Sequence, residues 1–306
     1  MATSITTTYA GEFAGKYISA ALLSADTIEG GGITIKPNVK YKEVMKTLST
    51  NALVKDAACD FADQSTVTLA ERVLQPEEFQ VNLELCKKDF HNDWEAVQMG
   101  YSAFDSLPPS FADFLIGHIA AKVAQKTEEN IWQGATANAG EFDGFTALLA
   151  ADATVIDVVG TTVTAANVIE ELGKVVDAIP TSVYGKEDLY IYVSQSIARA
   201  YVRALGGFGA NGLGANGVNN AGTTWFNGGD LAFDGVKLFV CSGMADNDMV
   251  AAQKSNLFFG TGLLSDHNEV KLIDMADLDG SQNVRVVMRY TAGVQYGIGA
   301  DIVYYS

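Results

Sequence analysis

Leu107-Pro108-Pro109-Ser110, running straight on into Phe111 to Gln133, is the stretch whose reading decides the fold. Proline suits the first turn of a helix, because the N–H it lacks would have had no partner there. Beyond it Phe111, Phe114, Leu115, Ile119, Val123 and Ala124 recur at the i, i+3, i+4 spacing of one helical face. Lys122, Gln125, Lys126, Glu128 and Glu129 are expected largely on the other side, and Gly134 where the helix stops. About 24 residues make a rod of about 35 Å, a beam that assembling subunits need more often than enzymes do.

The rest of the composition fits a large folded chain. At 306 residues, with 48% hydrophobic and 19% charged, it can bury a substantial core as one large domain or two lobes. Thirty glycines against five prolines suggest strands and loops with few rigid stops. A net charge of −17 argues against a protein that lives by phosphate contacts. Cys59, Cys86 and Cys241 are odd in number and widely spaced, which signals neither a disulfide framework nor a zinc knuckle. Reduced thiols made in a cytoplasm are expected. The start Met1-Ala2-Thr3-Ser4 lacks the cationic region of a secretion signal, and no apolar run reaches the length of about 18 residues that spans a membrane.

Before the beam, Thr8 can cap a short helix with Tyr9, Phe13, Tyr17 and Ala21 on one face. Gly30-Gly31-Gly32 ends that pattern. Ile33 to Val39 is extended, but Pro37 keeps it from being a central strand. This arm lies either on its own domain or on a neighbouring subunit. From Val67 to Lys88 the alternation of Phe79, Val81, Leu83 and Leu85 with Gln80, Asn82, Glu84 and Cys86 predicts a β-hairpin. Its turn falls at Gln75-Pro76-Glu77-Glu78. A lone hairpin is marginal in water, so it must dock on its own body or on another chain.

After the beam, Gly140 to Phe145 leads to a small apolar anchor at Leu148-Leu149. Thr164 caps a second helix with Val168, Ile169, Leu172, Val175, Val176 and Ile179 as its stripe, stopped by Pro180. Leu189 to Val193 reads as a buried strand, and Ser194 or Ser196 opens a third helix carrying Ile197, Tyr201, Val202 and Leu205. Residues 206–222 are Gly/Asn-rich, with Gly-Ala-Asn-Gly twice; without a following Lys-Ser/Thr this is a surface loop, not a phosphate cradle. Strands are expected at 236–240, 256–259, 270–273, 284–289 and 294–305, with a bulge or bend where Gly293, Gly297 and Gly299 recur.

Little of this is chemistry. His91 with Asp93, and Asp266 with His267, offer two metal-binding side chains each and no third. His118 belongs to a packing or polar face of the beam. Asp246 and Asp248 match two positions of a calcium loop that lacks its glycine and terminal glutamate. No nucleophile-elbow, zincin or dinucleotide fingerprint occurs, so no catalytic residue, metal or cofactor is expected.

In element order the chain resembles the major capsid proteins of tailed bacteriophages, of the Hong Kong 97 fold type. The resemblance rests on arm, hairpin, long helix, the Gly-Phe…Leu-Leu segment, the helix and strand-plus-helix of 189–205, and a strand-rich tail. Phe233 to Met244 and Asn256-Leu-Phe-Phe-Gly260 look like that family's late signature. It implies an α+β fold with an N-terminal arm (1–50) and an extended hairpin (51–88). A peripheral lobe (89–150 and 251–306) would hold the spine helix 109–133, and an axial lobe would span 151–250. It further implies an icosahedral shell of hexamers and pentamers around double-stranded DNA held without sequence-specific contact. Separate scaffold, portal and decoration proteins go with it, and a virion location. Subunit contacts are then expected from Tyr9, Phe13 and Tyr17 of the arm, Gln75, Pro76, Glu77 and Glu78 of the hairpin, and Asn211 and Asn216 near a capsomer axis. An encapsulin-like compartment shell shares this architecture, and an α/β enzyme is the more distant alternative.

Overall fold

The computed structural model describes residues 26–51, 54, 56, 57, 59, 66–87, 109–205, 231–262 and 270–306. The expected arm helix with Tyr9, Phe13 and Tyr17, the Gly/Asn stretch with Asn211 and Asn216, and His91 and His267 lie outside the described residues.

The beam is one helix, Pro109–Gln133. Leu115 and Ile119 are buried against strand residues, and Ile131 and Trp132 lie in the largest core. Its last turn closes where expected, with the Gly134 N–H donating to Asn130 O at 3.1 Å. One expectation fails here. Glu128 is fully buried, together with Thr127 and Asn130. The second half of the helix is covered on more than one side, because the turn Asp26–Glu29 and the backbone at Gly243 both press on it. A single apolar stripe could not show that.

One sheet holds β1 (Thr34–Lys36), β4 (Glu77–Cys86), β10 (Leu257–Gly260), β11 (Lys271–Asp274) and β12 (Asn283–Tyr296). β4 runs antiparallel to β12 for ten rungs, from Glu77↔Ala292 to Cys86↔Asn283. Phe79, Val81, Leu83 and Leu85 pack toward the long helix, while Gln80, Asn82 and Glu84 stay exposed, as alternation requires. β1 is an edge strand, parallel to β10, and Pro37 follows it directly. β12 is a single strand where two were expected. Gly293 does not bend it. A Cβ there would sit 3.0 Å from Gln75 O and from Pro76 Cα, so glycine lets another piece of chain cross close over the strand. The turn comes later, at Gly299–Asp301.

The hairpin is a second correction. β3 (Val67–Leu74) pairs with β2 (Glu43–Thr50), not with β4, over eight antiparallel rungs from Glu43↔Leu74 to Thr50↔Val67. Gln75-Pro76 is therefore no hairpin tip. It is the crossing from this ribbon into β4, above Gly293, where a residue without an N–H breaks the ladder at no cost. Alternation marked the strands but not their partners. β4 needs a cover for its apolar face and finds it beside the 14-residue β12, over the long helix.

The other sheet has the order β5-β13-β9-β6-β8-β7. Its strands are β5 (Ile156–Val158), β6 (Leu189–Ser194), β7 (Ala232–Phe233), β8 (Val236–Cys241), β9 (Met249–Gln253) and β13 (Val303–Tyr305). Ile191 and Val193 of β6 face the helices Val168–Ala178 and Gln195–Leu205, while Tyr192 faces the core around Trp132. Burial on both faces explains the unbroken apolar run of that strand. The first of these helices has Asn167, not Thr164, at its N-cap; Thr164 precedes it in a turn whose carbonyl accepts from Val168 N at 3.0 Å. Val168, Leu172, Val175, Val176 and Ile179 are buried as expected, but Ile169 is exposed. The two sheets share one core, so the described residues form a continuous body from which β2–β3 departs.

Candidate assembly surfaces

The β2–β3 ribbon has two unlike faces. Cross-strand register puts Val44 opposite Val73, Lys46 opposite Glu71, Leu48 opposite Leu69 and Thr50 opposite Val67, all on one face. Leu48 is 64% and Leu69 67% exposed, with Val44 and Val73 over 40%. Neighbouring apolar side chains across a ladder stabilise it by about 0.2–1 kcal/mol per pair. That is too little to explain so much apolar area left in water on one small element.

Among the described residues, the opposite face is tied down only near its foot. Met45 and Leu74 are buried with Val39, against Phe258. The Gln295 side chain donates to Val73 O at 3.2 Å. The Arg72 guanidinium binds the Asp152 carboxylate and lies 4.2 Å from the centroid of the Tyr296 ring. Tyr296 Oη donates to Asp152 Oδ2 at 2.7 Å, and the Thr154 N–H and hydroxyl donate to Asp152 Oδ1 at 2.9 and 2.8 Å. The Thr154 N–H first, then Tyr296 and Arg72, hold the Asp152 carboxyl well below the usual carboxylate range. Burial, with Asp152 beside it, pushes the Tyr296 hydroxyl up to about 12.

The root of the N-terminal arm is fastened differently. Thr27 N and Thr27 Oγ1 donate to the Glu128 carboxylate at 3.1 and 2.5 Å, while Trp132 Nε1 donates to Thr27 Oγ1 at 2.9 Å. Ser242 Oγ donates to Asp26 Oδ2 at 2.6 Å, and Tyr192 Oη to Gly32 O at 2.5 Å. Residues 26–32 thus link the long helix to β6 and to the turn after β8. Burial pushes the Glu128 carboxyl up to about 7; the bonds from Thr27 and Gly243 oppose that shift and the nearby Asp26 adds to it.

Of the expected contact residues, Gln75, Pro76, Glu77 and Glu78 are at the foot of the ribbon rather than its tip, with Glu77 and Glu78 of β4 already paired to Ala292 and Thr291 of β12. The exposed apolar residues of the ribbon, Val44, Leu48, Leu69 and Val73, are not among those expected contacts. Residues 43–50 fall in the stretch expected as arm and 67–74 in the stretch expected as hairpin, so their alternation gives no sign that the two pair with each other. Asp248 is hydrogen-bonded to Tyr304, and burial pushes its carboxyl up to about 6. Among the described residues no three potential metal ligands come together, and no helix is long and apolar enough to cross a membrane. Cys59, Cys86 and Cys241 are free thiols.

No family model matches the chain, and no curated protein matches its sequence. Solved structures do match over nearly its whole length. The capsid of an empty GTA particle is 12% identical, covers 95% of this chain and 92% of that chain, and gives a TM-score of 0.60. The capsid of Myoviridae phage XM1 is 10% identical, with 95% and 94% covered and a TM-score of 0.60. The capsid of cyanophage P-SCSP1u is 13% identical, with 100% and 94% covered and a TM-score of 0.55. At such identities the shared property is the fold: this chain has the α+β fold of phage capsid subunits.

Proposed function

We propose that the chain is the major capsid protein of a tailed phage, a structural subunit that assembles into the icosahedral shell enclosing double-stranded DNA. The observation that carries this reading is a capsid-subunit fold matched over nearly the whole chain, bearing a ribbon whose apolar face the described residues leave uncovered. In a closed shell each such face meets the same partner surface on the next copy, so one contact design is repeated at every position. Permanent assembly calls for interfaces above about 1,000 Å², and a projecting ribbon supplies area with few residues. A net charge of −17 shares the sign of packaged DNA and keeps the shell from binding it tightly.

In this reading the sheet that holds β12, with the long helix, is the peripheral lobe, and the six-stranded sheet with its two helices is the axial lobe. The extended hairpin is residues 43–74 rather than 51–88, and its contacts come from Val44, Leu48, Leu69 and Val73. The N-terminal arm and the Gly/Asn stretch contact neighbouring subunits, the latter near the capsomer centre. Scaffold, portal and decoration proteins are separate chains, and the protein resides in the virion. Negative-stain microscopy of the purified protein and of its source particle tests the proposal. Closed icosahedral shells are expected, with DNA inside the native ones. A monodisperse monomer with a small ligand in a cleft would overturn it, and shells filled with an enzyme would identify a compartment instead.

A further inference from the structure

We propose that Arg72 is a positioning residue: its clamp on Asp152 and Tyr296 sets the direction in which the β2–β3 ribbon leaves the body, and so where the ribbon meets its partner subunit. The second half of this statement rests on the capsid reading; the first does not.

Arg72 stands at the last rung tied to the body. Its cross-strand partner Met45 is buried, and Leu74 behind it is fully so. Outward from there the described polar contacts stay within the ribbon: Thr47 Oγ1 to Ala70 O, Lys46 to Glu71, and Thr66 N to Asn51 Oδ1. The ribbon is thus a cantilever with Arg72 at its fulcrum. Five residues from Arg72 to Val67 span about 17 Å, and a tilt of about 10° at the foot displaces that end by about 3 Å. Such a shift removes a side chain from van der Waals contact.

An ordinary surface ion pair would make a poor fulcrum. This one is built more firmly. Arg72 and Asp152 side chains are only 28% and 18% exposed. Every oxygen of the carboxylate is held by other donors, from Thr154 and Tyr296, so the anchor itself does not swing. The guanidinium is fixed in two directions, by the carboxylate and by the ring beneath it, which lysine cannot reproduce. Gly299 closes the site from the far side. A Cβ there would collide with Thr154 Oγ1 and come within 3.1 Å of Asp152 Oδ2 and 3.4 Å of Arg72 Nη2.

The test uses the full chain with Cys59 and Cys86 replaced by serine, and spin labels at Thr68→Cys on the ribbon and Glu170→Cys on the body. One narrow distance is expected with Arg72 present. Arg72→Ala should broaden or shift it, and Arg72→Lys should do so in part, with circular dichroism unchanged and closed shells lost. Gly299→Ala presses on the clamp without deleting a partner; it should shift the same distance, and it carries the test if Arg72→Ala does not fold. A narrow, unshifted distance in all three variants overturns the proposal. A broadened distance with normal shells overturns its assembly half. If the parent chain forms no shells under any condition while Arg72→Ala still broadens the distance, the capsid reading falls and the positioning role stands.

Discussion

The strand β6 and the ribbon β2–β3 are built from similar residue types and meet opposite fates. Leu189-Tyr-Ile-Tyr-Val193 has dry surface on both sides, with helices on one face and the Trp132 core on the other. Val44, Leu48, Leu69 and Val73 face solvent. The hydrophobic effect rewards burial whichever chain supplies the cover. Apolar side chains in β6 therefore stabilise the subunit, while on the proposed reading those in the ribbon contribute most once a second molecule covers them.

The sharpest way to break this comparison is to truncate each region in turn. Ile191→Ala, at a fully buried site, should destabilise the isolated subunit by about 2–5 kcal/mol. Urea unfolding of the unassembled chain would read this, and a midpoint equal to that of the parent would mean the six-stranded sheet is not a packed core.

The next effect concerns the buried carboxylate of the long helix. Glu128 has a folded value of about 7 against 4.5 in the unfolded chain, so the native state holds the extra proton. Its stabilising contribution is complete below the unfolded value and is lost as pH rises through about 7, a change of about 3 kcal/mol. Asp248, raised to about 6, adds in the same direction. Unfolding midpoints should fall from about pH 5 to about pH 8. Glu128→Gln should flatten most of that slope; an unaltered slope would assign it to other groups.

Smallest in the subunit, and largest in the shell, is the double substitution Leu48→Ser with Leu69→Ser. Stability of the free chain should stay within about 0.5 kcal/mol, because neither side chain is covered there. Sedimentation should show closed shells lost. Shells that form normally would show that the apolar ribbon face is not an interface. Limited proteolysis refines the same point. Cleavage of free subunits should spare Gln75 to Glu78, where the chain crosses β12 and pairs with it, and should fall within 51–66, the connection between β2 and β3. Protection of 51–66 upon assembly is expected.

What the sequence determined by itself is whatever short-range periodicity encodes. The beam 109–133, its stop at Gly134, the stripe from Val168 to Ile179, and the buried strand at 189–193 are each set by residues within a few positions of one another. So was the alternation of β4, down to which side chains face out. Their order along the chain was enough for the family resemblance. Tertiary structure alone decided the partners. β3 looked equally ready to pair with β4, and only the long β12, lying over the helix, drew β4 away and left β3 to β2. Glu128 read as a solvent-facing residue until Thr27, 101 positions away, closed over it. Of the glycines at 293, 297 and 299, where a bulge or bend is expected, only the last opens a turn, while Gly293 is a crossing beneath Gln75-Pro76. Arg72, Asp152 and Tyr296 carry no local signal at all. Pairing, burial and clamping depend on contacts between distant segments, and the free energy of those contacts is set by what each surface meets rather than by the residues beside it in the chain.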